Sequence, residues 1–267
     1  VSWVGADIVD EVQYWIRRCP RLRSEGLLIQ ESPNYHCQIQ YRADGGKTEI
    51  LSGNLEPLSF DELRPLIFRL DGLLVNFVTG FEIALPTMVA LRRETGGIVL
   101  IDMHSLTLGR ADSGERFWRR PANWQDWLSM ADVVQMNDEE AAVLGDIDGS
   151  EADELSEFAL SILRLGPVGA VVTRGRKGGV AAWRDPEAGT TDVFEFSAVA
   201  PHLAIDPTGC GDVFLAAMGL ATLRGERLPE AVAIAARAAS ANSRLCGIEQ
   251  LEGLPHALHS EIERKVT

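Results

Sequence analysis

The chain has 267 residues, of which 46% are hydrophobic, and a formal charge of −14 at pH 7. That is enough apolar material for a sizeable core and no basic face for a polyanion, so global disorder and nucleic-acid partners are excluded. No apolar run reaches the ~18 residues of a membrane span; the cysteines Cys19, Cys37, Cys210 and Cys246 lack CxxC spacing, so a disulfide framework or zinc finger is not expected and a reducing cytoplasm is.

The first patterned region is 26–53. The stretches GLLIQ, HCQIQYR and KTEILSG alternate apolar and polar residues and are split by turn signals at Ser32-Pro33-Asn34 and Asp44-Gly45-Gly46. This predicts a small antiparallel meander. Next come four short runs rich in Val, Ile and Leu, at 72–77, 97–102, 132–136 and 168–173, separated by helical segments at 82–94, 121–130 and 152–165. Strands buried on both faces and alternating with helices predict a parallel sheet with helices on each side. Residues 178–184 and 191–199 flank Asp185-Pro186-Glu187-Ala188-Gly189 and read as an antiparallel hairpin. Helices are expected at 212–224, 228–245 and 256–265. Small side chains at 231–241 would let the second of these approach a neighbouring backbone or a flat ligand closely.

The most specific stretch is Asp206-Pro207-Thr208-Gly209-Cys210-Gly211-Asp212, placed directly before an apolar helix. A glycine-rich turn at a helix start aims several N–H groups at one spot, and the helix dipole adds partial positive charge there. Phosphate is the natural occupant. Asp212 repels a phosphate, so its presence makes sense if it takes a proton from a hydroxyl that attacks one. Asp is also a favoured residue at helix starts on capping grounds.

Other candidates end strands, where α/β folds place ligands. Asn137 and Glu140, after the run 132–136, suit either a capping box or Mg²⁺ held through waters. Thr173-Arg174-Gly175-Arg176-Lys177-Gly178 closes the run 168–173; Gly175 and Gly178 permit close backbone approach, and its basic residues either meet phosphate charge or are solvated. Asn76 and Asp102 end the first two runs and are the substrate-side candidates. Trp118, Trp124 and Trp127 are expected to pack rather than stack on a sugar. His36, His202, His256 and His259 have no zinc-like spacing. No Walker loop is present, and no GxGxxG follows the first strand.

The string 206–212 resembles the D-T-x-G-A-G-D signature of the ribokinase-like (PfkB) carbohydrate kinases, with Pro207 between Asp206 and Thr208 and Cys210 in the Ala place. The N-x-x-E of residues 137–140 and the T-x-G-x-x-G of residues 173–178 match the family in order. The resemblance implies a three-layer α/β/α fold with a mainly parallel sheet, and a small antiparallel β lid at 26–53 within one kinase domain. It implies ATP-dependent phosphorylation of a sugar-like hydroxyl, with Asp212 as base and the N–H groups of Gly209, Cys210 and Gly211 as the phosphoryl cradle. Thr173, Gly175, Gly178, Thr208, Asn242 and Gly247 would line the nucleotide, Asn137 and Glu140 would hold Mg²⁺, and Asp206 is a candidate ligand for K⁺. A nucleoside kinase and a non-catalytic nucleotide- or metabolite-binding protein are the alternatives. His104 stands where the family often has Asn. Val4-Gly5-Ala6-Asp7 resembles the family's V-G-x-D, which normally follows a first strand and a GG stretch, so the chain is expected to lack one substrate wall. A lid of this type also suggests pairing of two copies.

Overall fold

Alternating Val/Ile/Leu runs and helices build a six-stranded sheet. The computed structural model describes residues 1–255 apart from 20, 42–46, 68, 69 and 186. The turn signal at 44–46, Pro186, the helix expected at 256–265, and His256 and His259 therefore lie outside the described residues. The chain divides into two compact units.

One unit comprises residues 1–70, 77–95 and 104–124. Its hairpin, His36–Tyr41 with Lys47–Ser52, is antiparallel as expected. The strand before it, Leu27–Gln30, departs from the expected meander by pairing in parallel with Ser2–Gly5. Asn34 gives the reason. Its side-chain oxygen accepts from the Gly5 N–H at 3.1 Å and its own N–H donates to Asp7 at 2.8 Å. The turn signal thus anchors the chain to the first strand instead of continuing a meander. A second short hairpin, Leu108–Arg110 with Arg116–Trp118, was not expected from pattern, since three residues carry too little periodicity. Trp118 stays 45% exposed, against the packing expectation that the buried Trp127 fulfils.

The other unit comprises residues 71–76, 96–103 and 125 onward. Its strands are β1 (Gly72–Asn76), β2 (Ile98–Asp102), β3 (Val133–Asn137), β4 (Gly169–Thr173), β5 (Gly179–Arg184) and β6 (Thr191–Phe196), in the spatial order β6-β5-β4-β3-β2-β1. The first four are parallel, and β5 and β6 form the expected antiparallel hairpin. Helices α1 (Asp138–Gly145) and α2 (Ala152–Leu163) pack on β3, β4 and β5, and α3 (Cys210–Leu223) and α4 (Leu228–Asn242) on the core below. Phe214, Leu215 and Met218 of α3, with Ala231, Val232 and Ala235 of α4, cover Leu100, Val133, Val171 and Ala181. A fully buried Leu, Phe or Met contributes about 1.5–3 kcal/mol. The period of two in β strands puts Val99, Ile101, Val134, Ala170 and Val172 out of that cluster, and they are buried as well. This is why each run reads as continuously apolar. α3 begins two residues before the expected start, because Gly209 adopts φ +73° and lets the turn run straight into the helix.

Asp185 closes β5 with a charged brace. One carboxylate oxygen accepts from the Glu187 and Ala188 N–H groups at 2.8 and 3.1 Å, and the other meets Arg227 at 2.6 Å. Arg227 also lies over the Trp183 ring, 4.8 Å from its centre. The Ala188 N–H first, then the Glu187 N–H and the Arg227 charge, hold the Asp185 carboxyl below its usual range. A carboxyl depressed in the native state contributes stability above its unfolded pKa of about 3.9 and loses it as pH falls through the lower native value. Wild type is therefore expected to melt above Asp185→Asn at neutral pH, and the gap in Tm should close at acid pH below about 4. Thermal melts of both proteins from neutral to acid pH check this.

Candidate active site

The face of the sheet that α3 and α4 cover changes character at its C-terminal edge. Along β1 the α3-facing positions run Leu74 then Asn76, along β2 Leu100 then Asp102, along β3 Val133 then Gln135 and Asn137, and along β4 Val171 then Thr173. Parallel register aligns these ends: Asn76 lies beside Asp102, Asp102 beside Gln135, and Asn137 beside Thr173. Apolar packing thus gives way to a row of polar side chains at the start of α3.

Two contacts tie that row to the glycine turn. Asn76 donates its amide to the Asp212 carboxylate. Gln135 donates to Asp102 at 3.3 Å and to the Gly211 carbonyl at 3.0 Å. Asp102 and Gln135 are buried, whereas Asp212 is exposed. The pairing of Asn76 with Asp212 is a contact between residues 136 apart in sequence, and nothing in either local pattern announces it. Gln135 was missed as a site residue; the available signal was an amide inside an otherwise apolar strand.

The turn itself is braced from within. Asp206 accepts the Thr208 N–H at 2.9 Å. This bond first, then the Thr208 hydroxyl and the Gly247 N–H, hold the Asp206 carboxyl below its ordinary range. The Ile205 and Asp206 N–H groups donate to the Ser243 carbonyl, so the end of α4 holds the entry to the turn. Asn242, buried, donates to the Thr208 carbonyl at 3.0 Å and lies 3.5 Å from the Cys210 sulfur. The Cys210 thiol points to the Ala239 carbonyl. Burial pushes its pKa up; Asn242 opposes this, while the charges of Asp206 and Asp212 add to it. Cys210 is thus a neutral spacer and not a nucleophile. Its N–H donates to the Pro207 carbonyl at 3.1 Å. Of the three expected cradle donors, this one is engaged within the turn. Added methyls at Gly209 and Gly211 would meet no atom closer than 3.7 Å and 3.8 Å, so there is room for a group against both.

Asn137 and Glu140 form a complete capping box on α1. The Glu140 N–H donates to Asn137, the Asn137 N–H donates back to Glu140, and the Asn137 amide reaches the other Glu140 oxygen, each at 2.8 Å. Both carboxylate oxygens of the buried Glu140 are thus engaged within the pair. No cluster of three metal-ligating side chains occurs among the described residues. The pair fits Mg²⁺ through bridging waters rather than as a direct ligand cage.

The loop after β4 turns on Gly175 (φ +51°) and Gly178 (φ +88°). Its arginines are occupied: Arg174 donates to the Ser150 carbonyl at 2.6 Å and Arg176 to the Ala204 carbonyl at 3.3 Å. The second bond links this loop to the segment entering the glycine turn. Gly178 has a packing reason of its own, because a β-carbon there would overlap the Phe196 carbonyl.

Residues 115–245 match the pfkB family of carbohydrate kinases. A fructokinase from Klebsiella pneumoniae is 34% identical over 145 residues, which cover 53% of this chain and 41% of the fructokinase; the chain spans about two fifths of that relative's length. A ribokinase from Thermotoga maritima superposes with a TM-score of 0.73 at 20% identity, over 98% of this chain and 80% of the other. Ribokinase from Arabidopsis thaliana, solved with ribose and ATP, gives 0.70 at 19% identity over 97% and 80%. At these identities the solved structures speak to the fold. No helix among the described residues is long and apolar enough to cross a membrane. The family match, over 131 of the 267 residues, takes in β3, the glycine turn and α4, and the fold is the one that these ribokinase structures share.

Proposed function

We propose that the site performs ATP-dependent phosphorylation of a sugar hydroxyl. The observation that carries this reading is Asp212: a carboxylate at the N-terminus of α3, held by Asn76 and exposed beside a glycine turn where an added methyl would make only ordinary contacts. An acid placed against an anion cradle weakens ground-state phosphate binding, and it is useful when it receives a proton during transfer. The acceptor hydroxyl gives its proton to Asp212 as its oxygen bonds to the γ-phosphorus. The bond from that phosphorus to the β,γ-bridging oxygen breaks, and ADP leaves with the electron pair. The Gly209 and Gly211 backbone and the α3 dipole stabilise the charge that develops on the transferring group.

Mg²⁺ accompanies nucleotide phosphates and supplies charge neutralisation on their oxygens; Asn137 and Glu140 are the residues that would hold it through water. Thr173, Gly175 and Gly178 are proposed to flank the nucleotide, with Thr208, Asn242 and Gly247 on its other side. A K⁺ site at Asp206 is supported by family resemblance; the carboxylate is already braced by Thr208 and Gly247. Asp102 is proposed to hold the acceptor.

The test is ADP release with MgATP and a panel of D-fructose, D-ribose and adenosine. The proposal expects release that depends on a sugar. Release with adenosine alone would make the protein a nucleoside kinase, and MgADP binding without release on any acceptor would make it a binding protein.

A further inference from the structure

Gln135 occupies a position where the core would be better served by an apolar side chain. It is 2% exposed, sits on the central strand β3, and follows Val133 and Val134. Its Nε2 makes two hydrogen bonds, to the Asp102 carboxylate and to the Gly211 carbonyl. Its Oε1 is buried with no partner among the described residues. The orientation of the amide follows from these neighbours: turned over, it would set Oε1 against a carboxylate and a carbonyl, with no donor to either. An unpartnered buried oxygen is costly. Stability alone therefore does not account for a glutamine here, whereas the pair of bonds it makes does something specific. Asp102 belongs to β2 and Gly211 to the first turn of α3, and the amide fastens one to the other.

We propose that Gln135 is a positioning residue of the transfer site, one amide setting the acceptor-side carboxylate Asp102 against the floor of the glycine turn. The inference rests on the kinase reading above. It assigns Gln135 no contact with substrate. The side chain acts through Asp102, whose orientation it fixes, and through Gly211, whose carbonyl it holds so that the N–H side of the turn keeps its direction.

Two substitutions in the full chain test this. Gln135→Met keeps the volume and removes both donors. Gln135→Glu keeps the shape but can donate at most one of the two hydrogen bonds. The Met variant is expected to lose about 10- to 100-fold in kcat for a sugar acceptor, the scale of a small misplacement of reacting groups, and to bind the Mg complex of a non-hydrolysable ATP analogue several-fold more weakly by calorimetry. The Glu variant is expected to fall in the same direction on both readouts. A purely structural role would lower melting temperature without moving kcat or analogue affinity of the folded protein. Wild-type kcat and wild-type analogue affinity in the Met variant would overturn the proposal, as would both in the Glu variant if the Met variant does not fold. Should wild type itself release no ADP with any acceptor, the kinase reading fails, and analogue affinity alone then decides Gln135: a Met variant equal to wild type removes it.

Discussion

Asp212→Asn is expected to lower sugar-dependent ADP release by about 10²–10⁴-fold, the usual worth of a positioned general base. A thousandfold loss corresponds to about 4 kcal/mol of transition-state stabilisation. The substitution is close to isosteric, and the Asn76 amide that donates to Asp212 can donate equally to an asparagine carbonyl. The surrounding turn has its own supports in Asp206, Asn242 and the Ser243 carbonyl. Fold and turn should survive, and the melting temperature should stay near that of wild type. MgADP affinity is expected to hold or to rise slightly, because a negative charge beside the phosphate cradle has been removed. Loss of kcat with retained nucleotide binding is the signature of an interaction made in the transition state. Full kcat in the asparagine variant would remove Asp212 from the role of base.

Sheet and helices could be read from the chain because their cause is local. A run such as GIVLID is apolar on both faces when helices cover both, and Val99, Leu100 and Ile101 are indeed fully buried. The glycine turn was legible for the same reason: Gly209, Gly211 and Asp212 are neighbours in sequence and lie together in space. The parts that escaped are non-local. Asn76 reads as a strand-end amide until α3 is laid beside β1, and only then does it meet Asp212. Gln135 reads as an interruption of an apolar run until both of its acceptors arrive from β2 and α3. Asn34 has the sequence look of a turn residue, yet its hydrogen bonds go to Gly5 and Asp7, and this moved one strand from an antiparallel meander into a parallel pair. Asn137 with Glu140 shows the opposite limit. The local capping reading and the metal reading use the same two residues, and the capping box is the part the geometry displays.

The glycines proposed for the nucleotide and for the phosphoryl group should separate structural from functional roles by substitution to alanine. At Gly178 the backbone has φ +88° and ψ −118°, and a β-carbon would overlap the Phe196 carbonyl oxygen and lie 2.8 Å from the Ala198 nitrogen. These are backbone atoms of the chain leaving β6, so relief requires shifting the β5–β6 hairpin itself. Gly178→Ala is expected to cost about 3–5 kcal/mol, combining conformational strain with that displacement. At Gly209 the conformation is also left-handed, φ +73°, but the nearest atoms to an added methyl are Asp212 Oδ2 at 3.7 Å and Asn242 Nδ2 at 3.8 Å. Gly209→Ala should therefore cost only the local strain, about 1–2 kcal/mol, and leave a folded protein. The added methyl, however, stands in the space proposed for the phosphoryl group. Affinity for the Mg complex of a non-hydrolysable ATP analogue and kcat should fall about tenfold or more in a protein whose urea midpoint has moved little. Urea denaturation and calorimetry with that analogue on both variants read the two effects separately. A Gly209→Ala variant that binds the analogue and turns over like wild type would place the cradle elsewhere. A Gly178→Ala variant as stable as wild type would show that the hairpin can yield at Phe196, leaving nucleotide contact as the reason for a glycine at 178.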